Sequence, residues 1–370
     1  KKKTGLMIDP YFSGTKIKWA IDNIKGIKEL MSLGDLMFGT VDTWILYKLT
    51  GHKVHKTDHT NASRTLLYNI HTLSWDQELL DILEIDKSIL PEVCPSDSLF
   101  GITARTSFFG YEIPIAGILG DQQAAAVGQT CFDKGSVKCT YGTGAFAIMN
   151  TGNKKILSKN KLLTTICYRV KNKNTYALEG SIFIAGAGVQ WLRDKIKLIT
   201  NAYETEKIAK SKINNDGIYI VPAFTGLGAP YWSPETRGII TGLTRNTDWK
   251  NLVRAVLESV AYQSYDLFES MRKDGSKPKI IKVDGGMIAN NWFAQFLSDI
   301  LDTSVLRPKI QETTALGVAF FAAYQIGEFK SLNEITRKWK KDAMFKPKIS
   351  KKLRVNLLKG WQQAIRKTLA

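Results

Sequence analysis

Two devices that could carry chemistry stand between Ile113 and Asn150, in IPIAGILGDQQAAAVGQTCFDKGSVKCTYGTGAFAIMN. The first is Asp121. The apolar run Ile113–Leu119, punctuated by Pro114 and Gly117, predicts a buried parallel strand. Gly120 breaks that run, and Gln122, Gln123 and Ala124 to Ala126 predict a helix beginning at Asp121. Open α/β sheets place their chemistry at such a strand end, and a carboxylate there can accept a proton. An aspartate before a helix also serves as an ordinary N-cap. The second device is Gly142-Thr143-Gly144, flanked by strand-like residues. Glycines admit positive φ and close backbone approach, so such a tip can aim N–H groups and the Thr143 hydroxyl at a phosphate. A plain hairpin turn has the same appearance.

Two further stretches can face a nucleotide. Gly180–Gln190, GSIFIAGAGVQ, packs glycine and alanine into a helix start, which suits a phosphate or simply a close helix contact. Asp284-Gly285-Gly286 follows an apolar strand and precedes a helix opening at Asn290. Tyr11 lies in a loop feeding an amphipathic helix with Ile17, Trp19 and Ala20 among its apolar positions, and can equally be an aromatic lid on a core.

The elements that must position these residues change character along the chain. Gly39–Gly51 predicts a capped helix ending in glycine, Thr57–Thr65 is rich in hydroxyls and amides without an assignable role, and Trp75–Leu90 predicts a helical pair. Short strands follow at Ser136–Tyr141, Ala145–Asn150, Leu162–Val170 and Thr175–Leu178, an antiparallel meander on the strength of its short links. A helix over Ser181–Ile199 precedes strands Ile218–Pro222 and Gly238–Leu243, helix Trp249–Met271, strand Ile280–Val283 and helix Asn290–Leu301. Glu328–Ala370 is expected to be a lysine-rich helical tail without a site.

Composition narrows the function. A chain of 370 residues, 44% hydrophobic, holds about two domains. The net charge of +18 is spread over surface-like lysine runs such as Gly152–Lys161, without interleaved aromatics, so a solvated basic surface is expected and nucleic acid is not. Cys94, Cys131, Cys139 and Cys167 have neither zinc-type spacing nor a disulfide pattern, and His52, His55, His59 and His71 sit in loop-like polar surroundings, so no metal site is expected. No run reaches the ~18 apolar residues of a membrane span, and the expected compartment is reducing and cytoplasmic.

The segments GDQQAA and TYGTGAF, together with VPAFTGLGAPYW at Val221–Trp232 and GIITGLTRNTDWKNLVRAVLE at Gly238–Glu258, closely resemble the glycerol-phosphorylating members of the FGGY family of carbohydrate kinases. The resemblance runs from Tyr11 to about Tyr324. It implies an α/β, two-lobed fold of the actin-like, ribonuclease-H-like ATPase type, with residues 1–127 on the substrate side, 128–330 on the nucleotide side and 331–370 as the tail. It implies ATP-dependent phosphorylation of glycerol to sn-glycerol 3-phosphate, with Mg²⁺ bridging the nucleotide. Asp121 would be the general base; Tyr11, Gln122 and Phe146 would line the glycerol pocket; Thr143, Gly186, Gln190, Gly286 and Asn290 would contact ATP or ADP. A homo-oligomer, dimer or tetramer, is also implied. The alternatives are a xylulose or other sugar kinase and an inactive nucleotide-binding protein.

Family members carry an Asp-x-Gly-Thr-type phosphate loop and a polyol-gripping Arg–Glu pair ahead of the position of Lys1, and this sequence holds no segment resembling the loop and no Arg–Glu pair in a suitable context. The expectation is an incomplete first lobe, with weak ATP binding and no glycerol-dependent ADP release by these residues alone. Ala104–Glu112, ARTSFFGYE, lacks the Gly- and Arg-containing loop through which a sugar bisphosphate inhibits bacterial relatives, so that regulation is not expected.

Overall fold

The structure, a computed structural model, describes residues 1–370. The first part is built of helices and short strand pairs. Helix α1, Ser13–Asn23, buries Ile17 and Ile21 against Leu67, Leu80, Ile85, Ile89 and Leu90. Trp19, expected on that apolar face, is instead 62% exposed, because the buried stripe runs through Gly14, Ile17 and Ile21 and Trp19 lies two positions off it. Helix α2, Val41–Leu49, follows, with Gly51 in the left-handed region just beyond its end. The predicted helical pair is a helix at Gln77–Ile82 and a 3₁₀ turn at Lys87–Ile89.

The predicted parallel strand over Ile113–Leu119 does not form. Only Pro114–Ile115 is a strand, antiparallel to Gly101–Ile102. Pro114 has no N–H for a ladder, and beyond it the chain packs beneath a helix: a Cβ on Gly117 would lie 3.0 Å from the Ala322 nitrogen. Helix α3, Asp121–Gly128, begins as expected at Asp121.

The second part is organised by a seven-stranded sheet. Its strands are β1 Ser136–Tyr141, β2 Ala145–Gly152, β3 Leu163–Val170, β4 Lys173–Ile182, β5 Ile280–Asp284, β6 Val305–Pro308 and β7 Lys341–Phe345. The order across the sheet is β7-β6-β5-β1-β2-β4-β3. The first four pair antiparallel among themselves as expected, but β4 sits between β2 and β3, so the link from β2 to β3 crosses it and the order is not that of a meander. β5 pairs in parallel with β1 and β6. The helix expected over Ser181–Ile199 is shorter: Ser181 and Ile182 still pair with Phe146 and Ala145, and helix α4 spans Gly186–Asp194.

The remaining long helices are α5 Trp249–Lys273, α6 Asn291–Leu301, α7 Thr313–Gln325 and α8 Lys351–Leu369. One face of the sheet packs on α5 and α6 through Val137, Cys139, Tyr141, Val256, Val260, Phe268 and Phe293. The other face packs on α3 and α7 through Ala126, Val127, Ile148, Cys167, Phe320 and Phe321. There the helices touch backbone to backbone: a Cβ on Gly317 would fall 1.7 Å from the Ala124 carbonyl oxygen. That contact fixes α3, and with it Asp121, on the sheet. The tail is no helical appendage. Its strand β7 extends the sheet, and α8 buries Trp361 completely beside Leu358, Ala364 and Ile365.

Candidate active site

The Gly-Thr-Gly tip joins β1 to β2. Neither of its glycines adopts positive φ; what Gly144 supplies is space, since a Cβ there would lie 2.7 Å from the Ile182 carbonyl oxygen. The tip is tied to the start of α4 by backbone bonds, Gly186 N–H to Gly142 O at 2.9 Å, and Ala185 and Ala187 N–H to Thr143 O at 2.9 and 3.0 Å. Gly186 must be glycine for the same reason, because a Cβ would sit 2.6 Å from Gly142 O. Gly285, with φ of +93°, brings a third backbone segment against Tyr141.

These three approaches enclose a cavity of about 540 Å³ lined by Thr143, Gly186, Gln190, Gly286 and Asn290. All five positions expected to face a nucleotide therefore share one cavity. The cavity is also lined by Arg193 at the end of α4 and by Asn201, Tyr203, Thr205 and Glu206, none of them singled out from sequence; the last four lie in and around a short helix, Glu204–Ser211, that was not predicted. Asn290 caps α6, accepting from Phe293 N–H at 2.9 Å, and donates to Thr205 at 3.2 Å.

Asp284, just before Gly285, does not line the cavity. Its buried carboxylate accepts from Gln129 at 2.9 Å, from Thr313 at 2.6 Å and from Thr140. It thus ties the end of α3, the start of α7 and β1 together behind the cavity floor.

A second group of candidate residues is built around Asp121. This exposed carboxylate lies in the first turn of α3, where the helix dipole favours an anion. It is not the N-cap: that position is Gly120, whose N–H is held by Thr60 Oγ1 at 2.7 Å. Thr60 is in turn held by the buried Asp58, which also accepts from Asn61 and Ser96. Burial pushes the Asp58 carboxyl up to about 6, against those hydrogen bonds. The Thr57–Thr65 stretch, opaque in sequence, is thus the support of the Asp121 turn. His59, expected in a loop, is buried there between Tyr68 at 2.6 Å and Arg169 at 3.0 Å, and burial with the neighbouring Arg169 lowers it to about 4.

Gln122 is bonded to Asp121 through its backbone N–H at 2.7 Å and its side-chain amide at 3.3 Å. Tyr11 is 63% exposed, yet its phenol pKa is raised by partial desolvation, with the Arg64 charge opposing and the Glu179 and Asp121 charges adding to the rise. That field brings Tyr11 and Asp121 into one neighbourhood and adds two residues that sequence did not assign. Arg64 and Glu179 are 115 positions apart and form a two-pronged ion pair at 2.7 and 2.8 Å, with the guanidinium 5.2 Å from the Phe12 ring centroid. Phe146 stands on β2 opposite Thr140, half-buried on the sheet face that carries Lys138. No cluster of three His, Cys, Asp or Glu side chains suits a metal ion.

Residues 1–128 match the N-terminal domain and residues 137–326 the C-terminal domain of the FGGY family of carbohydrate kinases. The chain belongs to that family. It is 53% identical to glycerol kinase 1 of Pseudomonas aeruginosa over 365 residues, which is 99% of this chain and 74% of that protein. It is 54% identical to the glycerol kinase of Ectopseudomonas mendocina over 366 residues, with the same coverage. Among solved structures, Plasmodium falciparum glycerol kinase with ADP superposes with a TM-score of 0.94 at 41% identity, covering 100% of this chain and 74% of that one. Xylulose kinase from Lactobacillus acidophilus, at 23% identity and a TM-score of 0.86, shares the fold. The chain thus has the actin-like ATPase fold of that family, and most of its seven-stranded sheet, with the hairpin tip, α4 and Gly285 at one end, falls in the part that matches the C-terminal domain.

Proposed function

We propose that the protein carrying this chain transfers the γ-phosphoryl group of ATP to a primary hydroxyl of glycerol, giving sn-glycerol 3-phosphate. The observation that carries this reading is the single cavity uniting Thr143, Gly186, Gln190, Gly286 and Asn290, joined through β1 to the α3 turn that presents Asp121. Glycerol is favoured over a sugar because the relatives at 53% and 54% identity are glycerol kinases.

Phosphoryl transfer asks a protein chiefly for positioning and charge. Asp121 accepts the hydroxyl proton as the hydroxyl oxygen attacks phosphorus. Gln122, Tyr11 and Phe146 bound the acceptor pocket. Thr143 and the Gly142 and Gly144 backbone hold phosphate oxygens, while Gln190, Gly186, Gly286 and Asn290 hold the rest of the nucleotide. Mg²⁺ carried on the phosphates supplies neutralising charge. The chain's part is to fix donor and acceptor in line and to keep water from competing. A cytoplasmic homo-oligomer belongs to the same proposal, and light scattering reads its size.

The test is phosphorus NMR of the product formed from ATP with glycerol, xylulose or gluconate offered in parallel. Glycerol 3-phosphate as the dominant product supports the reading. Preferential phosphorylation of a sugar would transfer the assignment to another branch of the family.

A further inference from the structure

Lys138 lies in the middle of β1 with none of its surface exposed. A lysine buried so completely ordinarily meets a carboxylate. Here its side-chain hydrogen bond goes instead to the Gln122 amide oxygen, Nζ to Oε1 at 2.6 Å. Burial lowers the pKa of Lys138, and the charges of Asp284, Cys139, Asp121 and Glu179 oppose that fall. Glu179 reaches this field from the same face of the sheet, in the row Lys138, Ile148, Glu179 across β1, β2 and β4.

An ammonium donates and cannot accept, so of the two ends of the Gln122 amide it selects the oxygen. The nitrogen end is thereby turned toward Asp121, where Nε2 donates to Oδ2 at 3.3 Å while the backbone N–H of Gln122 donates to Oδ1 at 2.7 Å. Without the ammonium the amide oxygen loses its partner, and only the long 3.3 Å bond from Nε2 to Asp121 holds the amide in place. Stability does not account for the lysine, because burying an ammonium with no carboxylate partner costs free energy that an apolar side chain would not.

We infer that Lys138 is a positioning residue, acting through Gln122 to hold the Asp121 carboxylate in one orientation toward the acceptor hydroxyl. This rests on the proposed phosphoryl transfer with Asp121 as the base. Strand β1 then serves both sides of the reaction, with Lys138 under the acceptor turn and Gly142 at the nucleotide cavity about 13 Å further along at strand spacing.

The test compares Lys138→Met, Gln122→Met and the double variant. Lys138→Met is expected to lower kcat about 10- to 100-fold, the scale of a misplaced reacting group, with ADP affinity unchanged and Tm equal or higher. The double variant should be no slower than Gln122→Met alone, because both changes break one link. Effects that multiply, or a Lys138→Met enzyme within about twofold of wild-type kcat, overturn the inference. Should Lys138→Met fail to fold, Lys138→Gln, which keeps a donor without the charge, enters the same cycle. A crystal structure of the lysine variant reads the link without activity: the Gln122 amide turned away from Asp121 supports it, and an amide in its original place refutes it. If the wild-type protein phosphorylates no polyol, the proposed reaction fails, and the crystallographic result still decides whether Lys138 orients Gln122.

Discussion

Arg64 and Glu179 meet through two parallel hydrogen bonds of 2.7 and 2.8 Å, joining the turn after the Asp58–Thr60 support to the middle of β4. Glu179 is almost fully buried, with 4% of its side chain exposed against 18% for Arg64. Removing one partner of such a pair leaves an uncompensated charge, so Arg64→Ala should destabilise the fold by about 3 kcal/mol, the lower end for a buried pair. It should also loosen Phe12, on whose ring the guanidinium rests. Denaturant unfolding checks this; a change below about 1 kcal/mol would class the pair with surface bridges.

Thr143→Val keeps the shape of the hairpin tip and deletes its hydroxyl. Because the tip's backbone is held by its own bonds to α4, the hairpin should persist. ADP should then bind about 2- to 12-fold more weakly, the equivalent of roughly 0.5 to 1.5 kcal/mol for one hydrogen bond. Calorimetry with ADP measures it, and an unchanged Kd would make the Thr143 hydroxyl a bystander.

Asp266 gives a pH signature of stability. Its buried carboxylate accepts from Tyr231 at 2.7 Å and Trp361 at 2.6 Å, and burial, outweighing those bonds, raises it to about 6. An acid raised in the fold stabilises it while protonated. That contribution is full below the unfolded value of about 3.8 and is lost as pH climbs through about 6. Asp266→Asn stays neutral and keeps an accepting oxygen, so its stability relative to wild type should improve with pH across that window, by up to about 3 kcal/mol. A difference that does not change with pH would show that Asp266 ionises in the fold at its ordinary value.

Trp361→Ala tests whether the carboxyl-terminal residues belong to the sheet domain. With Trp361 fully buried against Tyr262, the substitution should cost about 3 to 5 kcal/mol. Melting curves decide between that loss and the small shift a loosely attached tail would give.

How far the sequence could be read follows from where its signals came from. Strands β1 to β4 were legible as short strand-like runs separated by turns, and helices α5 and α6 because their helical periodicity matches their buried faces. The Gly142–Gly144 tip was legible from its glycines, and at Gly144 and Gly186 close backbone approach does require one; Gln190, Gly286 and Asn290 were legible only through the family resemblance. The helix α7 and strand β7 were missed: α7 is apolar nearly all round, and β7, Lys341–Phe345, reads as a charged surface run because it covers a sheet edge. Thr60, Arg64, Lys138 and Glu179 were unreadable as a group, since each acts through a partner more than fifteen residues away.

The proposed transfer depends on Asp121, and two measurements on one variant test that most directly. With Asp121→Asn, ATP-dependent formation of glycerol 3-phosphate should fall about 10²- to 10⁴-fold in kcat, the scale of a positioned general base, while the Kd for ADP in the Thr143 cavity stays within about twofold of wild type. A variant that keeps more than about a third of wild-type kcat would contradict the account and leave Asp121 as no more than the first residue of a helix.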